Sequence, residues 1–177
     1  MRNHTGLILI FICIFLAGCG SDKIQPRYTD FLNDSIPSQE SFNSTVTFSD
    51  SGKVKAVLLA GRIRVFAKQN ITFVDSGAKV DFYSNDMVVS TLTARKGKIY
   101  DITKDVEVYD SVKIVSTDGT VLSTGKLYWI NKTRRIKSDD FVYIKTGDQD
   151  IKGYGFESDP NLKNYVIYRV SGEIKGE

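Results

Sequence analysis

The chain has 177 residues, 41% of them hydrophobic and 25% charged, and a formal net charge of +3 at pH 7. No basic block stands out, Arg134-Arg135 being only a pair, so nothing in the composition points to nucleic acid. Its single histidine, His4, and both cysteines, Cys13 and Cys19, fall within the first nineteen residues, which starves the rest of the chain of imidazole and thiol chemistry.

Those first residues read as a targeting segment. Arg2 is a positive n-region, and Leu7 to Leu16 is an unbroken apolar run of ten. That is short of the roughly 20 residues a transmembrane helix needs. Leu16-Ala17-Gly18-Cys19 follows directly and matches a bacterial lipobox. The expected organisation is a lipoprotein signal peptide over 1–18 and a diacylglycerol-bearing Cys19 at the mature N-terminus. Cleavage removes His4 and Cys13 and leaves Cys19 as a blocked thioether. Cys-His and Ser-His-Asp catalysis and any zinc site using Cys or His are thereby excluded. Carboxylates, Tyr, Lys and Ser are the groups that remain for chemistry.

Residues 19–44 are polar, with Pro26, Pro37 and many Ser, Asn and Asp residues, and read as a flexible tether. A single domain is expected over 45–177. From Thr45 onward apolar residues alternate rather than recur at a helical period: Val46 and Phe48, Ile63 and Val65, Val80 and Phe82, Val106 and Val108, Val112 and Ile114, Leu127 and Trp129, Val142 and Ile144. Four polar turns punctuate the alternation: Ser51-Gly52, Asn85-Asp86, Asp118-Gly119 and Gly147-Asp148. Of these, Asp118-Gly119 is the strongest hairpin signal, because both central positions of a tight turn favour φ > 0. Each turn leads into a strand with a small residue at one recurring place: Ala60, Ala94, Thr124 and Gly153, at intervals of about 30 residues. Units of that kind cannot bury their apolar faces alone. The chain is therefore expected to be all-β, a long antiparallel sheet of repeated hairpins. It folds over so that Ile63, Val65, Ile99, Val112, Ile114, Leu127 and Trp129 meet inside.

A sheet of this kind leaves its first and last strands unpaired, and an unpaired edge accepts strand addition from a partner. The last alternating run, Tyr165 to Ile174, is free of proline and is the candidate edge, with Tyr165, Ile167 and Val170 on it. Gly153 lies one strand earlier, where a glycine implies either a bulge at a corner or the close approach of another backbone or ligand. Two carboxylate pairs, Asp139-Asp140 and Glu157 with Asp159, would suit glycoside hydrolysis or calcium. Both are expected beside turns, where aspartate caps the backbone and stays solvated. The many aromatics are ordinary sheet residues, a minority of them free to line a groove.

Several segments carry a resemblance. Phe48-Ser49-Asp50-Ser51-Gly52-Lys53-Val54-Lys55-Ala56 with Leu58-Leu59-Ala60, then Thr91 to Tyr100, Val106-Glu107-Val108 with Val112-Lys113-Ile114, Asp118 to Thr124, and Ile151 to Glu157 follow one another in an order and spacing that resembles the LptC family of lipopolysaccharide export. The similarity covers roughly residues 45 to 174. It implies a twisted, open antiparallel β-jellyroll that holds acyl chains between its layers, with Ile63, Val65, Val112, Ile114, Leu127 and Trp129 as groove residues. It implies a relay that accepts lipopolysaccharide from the LptBFG transporter at one sheet edge and passes it to an LptA-like jellyroll at the other. It implies no enzyme activity, no cofactor and no metal, and an inner-membrane location on the periplasmic side. Well-known members keep an uncleaved transmembrane helix where this chain has a lipobox, and Gly20 rather than Asp after the cysteine leaves the outer membrane open. Two alternatives remain: a lipid-tethered carrier like LptA or the LptD N-terminal domain, and a carboxylate-dependent glycan hydrolase.

Overall fold

A computed structural model describes residues 36–175. Ten strands follow in order: β1 (Gln39–Asp50), β2 (Lys53–Phe66), β3 (Ile71–Ser84), β4 (Met87–Ala94), β5 (Lys96–Tyr100), β6 (Val106–Ser116), β7 (Val121–Ile130), β8 (Arg135–Lys145), β9 (Gln149–Ser158) and β10 (Tyr165–Lys175). A single 3₁₀ turn, Ala67–Gln69, joins β2 to β3. Among the described residues there is no α-helix, and no helix long and apolar enough to cross a membrane. The strand β1 begins at Gln39, pairing Gln39 with Val65, so the ordered domain starts ahead of the boundary expected at 45.

All strands join one antiparallel sheet in the order β1-β2-β3-β4-β6-β7-β8-β9-β10, and β5 extends β4 by pairing with β3 and β6. The four expected turns all close hairpins, β1–β2, β3–β4, β6–β7 and β8–β9. Gly52 and Gly119 adopt φ of 75° and 88° there, and Asn85 and Asp86 adopt 51° and 61°, the left-handed backbone that these residue types tolerate best.

The long strands do not stay flat. Register shifts fall near the middle of β2–β3, β6–β7, β7–β8, β8–β9 and β9–β10 pairings, and the break between β4 and β5 continues the same line. Left-handed backbone at Asn43, Ser76, Gly77, Asp110, Ser111 and Gly155 follows it as well. A row of bulges bends a sheet and raises its twist. Hydrogen bonds run through the bend, from Gly77 N to Arg95 O at 3.1 Å and from Arg95 N to Asp110 O at 2.9 Å. Gly61 sits on this line, and a side chain there would collide with the backbone carbonyl of Ser76. The result is one sheet doubled into two facing layers, each made from halves of the same strands.

Between the layers the core divides. One cluster holds Leu92, Val108, Val112, Ile114, Leu122, Leu127, Ile136, Val142, Ile144, Phe156 and Leu162, most of them almost sealed from solvent. Burial of each such side chain contributes about 1.5–3 kcal/mol. The second, nearer the N-terminus, is smaller: Leu58, Ala60, Ile63, Val74 and Ala78. Val46, Val65 and Ile99 pack against it and remain only partly covered.

Candidate functional site

Six residues were expected to share an apolar interior, and the structure divides them. Val112, Ile114 and Leu127 are 2%, 0% and 1% exposed in the larger cluster, with Trp129 packed against it and half-buried. Ile63 and Val65 belong with the smaller cluster, and Val65 is likewise only half-buried. Trp129 lies 6.4 Å from Phe82 between ring centroids, so the far end of β7 meets β3 across the layers. The interior is thus closed at its C-terminal half and less complete at the smaller cluster and along the row Val65, Ile99, Val106 and Trp129, all of which stay partly accessible. A shallow hollow runs along the bend of the first four strands, lined by Ser44, Leu59, Ala60, Gly61, Ala78 and Ala94.

The mouth of the closed half is crossed by the β9–β10 loop. Ser90, 1% exposed, donates a 2.7 Å hydrogen bond to the carbonyl of Pro160, and Leu162 enters the core at 3% exposure. Leu162 holds a φ of 59° to do so, a conformation a leucine rarely adopts. Asp159 organises the loop: its carboxylate accepts from Lys163 N at 3.0 Å and Asn164 Nδ2 at 2.8 Å. The sequence marks Pro160 as a turn, and nothing in the alternation singles out Leu162.

The sheet has two edges, β1 and β10, neither paired on its outer side within the sheet. The three candidate edge residues are not equivalent. Tyr165 and Ile167 turn inward, Tyr165 stacking on Phe156 at 6.2 Å, whereas Val170 is 60% exposed beside Val166 and Tyr168. Gly153 pairs with Val170 in β10 and with Val142 in β8. An added Cβ there would stand 2.5 Å from the carbonyl oxygen of Arg169 and 2.5 Å from Cγ2 of Ile167. The close approach at Gly153 is therefore made by the chain's own last strand.

The carboxylates do not converge. Asp139 and Asp140 lie at the bulge inside β8 rather than beside a turn, exposed to solvent. Glu157 points outward from β9 to Arg135 Nε at 2.6 Å, Lys137 Nζ at 2.9 Å and Tyr168 Oη at 3.0 Å, while Asp159 serves its loop. The hydrogen bond from Lys137, and then that from Tyr168, holds the Glu157 carboxyl below its ordinary value, and the same bond raises the Tyr168 phenol. Among the described residues no group of His, Cys, Asp and Glu is arranged to hold a metal. Cys19, the leader and most of the expected tether lie outside the described residues.

A family profile described as lipopolysaccharide-assembly, LptC-related, matches residues 6–173. No curated protein sequence matches the chain. With a doubled, open antiparallel sheet, an apolar interior and a profile match across nearly its whole length, the chain belongs to the LptC family, a component of lipopolysaccharide transport.

Proposed function

We propose that this protein is a lipid-anchored periplasmic relay. It accepts lipopolysaccharide from the LptBFG transporter, shelters the acyl chains between its two layers, and passes them to an LptA-like jellyroll through the β10 edge. Cys19 carries the lipid that holds it to the periplasmic face of the inner membrane. The observation that carries this reading is a single doubled sheet with a partly uncovered apolar interior and two unpaired edges. Acyl chains need apolar walls, and edge pairing needs free backbone donors and acceptors.

Photo-crosslinkers replacing single residues in cells test the groove. Capture of lipopolysaccharide is expected at Val65 and Trp129, the two partly accessible members of the predicted six, and at Ile114 once the layers part. It is not expected at Lys113 or Tyr128, on the opposite faces of the same strands. Equal capture at both sets refutes the assignment. Co-purification with the transporter separates a relay from a freely tethered carrier. Palmitate labelling that survives Cys19→Ser would refute the anchor.

A further inference from the structure

Because every strand spans the folded sheet from one lip to the other, the connections collect in two rows. On one lip the β1–β2, β3–β4, β6–β7 and β8–β9 turns each carry an exposed aspartate at the turn: Asp50, Asp86, Asp118 and Asp148. On the other, the β2–β3, β5–β6, β7–β8 and β9–β10 connections each carry an exposed lysine: Lys68, Lys104, Lys132 and Lys163.

The second row is continuous. Asp101 N donates to Asn70 O at 2.9 Å, Asn131 N donates to the Asp105 carboxylate at 2.8 Å, and Arg135 Nη2 donates to Asn164 O at 3.4 Å, so each connection touches the next. The acids along this lip are turned to local work, Asp101 on Thr72, Asp105 on the Asn131 backbone and Asp159 on its own loop. Lys68, Lys104 and Lys132 are left without an ion pair among the described residues. Arg134, in the β7–β8 connection, reaches Asp50 of the opposite lip at 3.7 Å, while Arg135 beside it is held by Glu157. Directly inside the same lip lie Val65, Ile99, Val106 and Trp129 at the ends of β2, β5, β6 and β7, joined in register as Ile99 with Val106 and Val106 with Trp129. A row of unpaired cations above a partly covered apolar shelf matches a molecule with an anionic head and hydrocarbon chains.

We infer that Lys68, Lys104 and Lys132, with Arg134, form a binding site for the phosphate groups on the head of an amphiphile whose chains enter over Val65, Ile99, Val106 and Trp129. Phosphate then takes on Arg134 the place that Asp50 holds in this structure. The inference rests on the acyl-carrier reading and adds to it the site that reads the head.

Trp129 is the single tryptophan of the chain, so its emission reports arrival of acyl chains on the shelf. Full-length protein in detergent and its Lys68→Gln/Lys104→Gln/Lys132→Gln variant are titrated with bisphosphorylated lipid A and with the same lipid dephosphorylated enzymatically. The unaltered protein is expected to bind the phosphorylated lipid on the order of tenfold more tightly, as two or three exposed ion pairs would provide. In the triple variant that preference falls to about twofold or less, while the midpoint for the dephosphorylated lipid is unchanged. Inorganic phosphate alone is expected to leave the emission unchanged and to compete only far above the lipid concentration. The inference is overturned if the unaltered protein does not distinguish the two lipids, if the variant keeps the full preference, or if inorganic phosphate competes as well as the lipid head. Binding of both lipids without preference leaves the carrier reading standing. If neither lipid moves Trp129 emission, both readings fail.

Discussion

Replacing Gly153 by alanine should force the last two strands apart. The added Cβ would stand 2.5 Å from the Arg169 carbonyl oxygen and 2.5 Å from Ile167 Cγ2, against about 3.5 Å or more for ordinary contact, so roughly 1 Å must be found. The Ile167 methyl can rotate. The carbonyl belongs to the β9–β10 ladder and moves only if β10 moves. Overpacking of this kind costs about 1–3 kcal/mol, and a backbone neighbour places the value near the upper end, about 2–3 kcal/mol. For a domain of this size each kcal/mol lowers Tm by about 2–4 °C, so a drop of about 4–12 °C is expected. Gly147→Ala is the control: it lies in the β8–β9 turn with nothing within 4 Å of an added Cβ, and should melt within about 2 °C of the unaltered protein. Hydrogen exchange should localise the damage in the Gly153 variant to β10 amides, with β2 to β7 protected as before. A Gly153→Ala melt that matches Gly147→Ala, or faster exchange spread evenly over the sheet, would refute the reasoning.

Leu162→Ala removes a side chain that is 3% exposed in the larger cluster and should cost about 2–4 kcal/mol by denaturant unfolding; a loss under about 0.5 kcal/mol would show that the loop is no part of the core. Glu157 has a depressed folded-state pKa, so its contribution is present above its unfolded value and fades as pH falls through the folded one. Stability measured on the acid side of the ordinary glutamate range should therefore decline less steeply in Glu157→Gln, and parallel curves would refute that origin. Proline at Ile167 or at Val170, positions of opposite parity in β10, removes an outward donor in one case and a ladder donor in the other. One of the two should abolish capture by an LptA-like jellyroll while still melting near the unaltered protein; normal capture by both folded variants would exclude β10 as the docking edge.

The hairpins and their pairings were legible because local chemistry specifies them. Asp118-Gly119 tolerates a left-handed turn, and period-2 alternation leaves only one register that buries Val112 and Ile114 together. The bend was not legible, because it is set by how the two layers meet rather than by any residue's own preference. Ser76 and Ser111 adopt left-handed backbone that their residue type does not advertise, and Asn43 and Asp110, which tolerate it, look no different from the many other Asn and Asp residues of the chain. Asp139 and Asp140 were expected beside a turn for the same reason: a bulge inside β8 and a turn favour the same residue types. The start of β1 was hidden because Gln39 to Ser44 are polar except for Phe42, which is itself exposed, as suits an edge strand whose face is largely solvated. All six interior candidates pack in or against one of the two apolar clusters, as alternation within each strand implies. Alternation carried nothing about depth, which separates sealed Ile114 from accessible Trp129.

The line of bulges has a mechanical consequence. Both layers are stretches of the same strands, so a change in the angle between them need not break a ladder between neighbours. A closed barrel of similar strand number would have to break a seam to admit a wider cargo. Here the aperture is an angle, and what resists its growth is the packing of side chains between the walls together with the contacts at the rim. On the relay proposed above, cargo with more or longer chains would be accommodated by a wider angle between the layers, with both edges left available to neighbours.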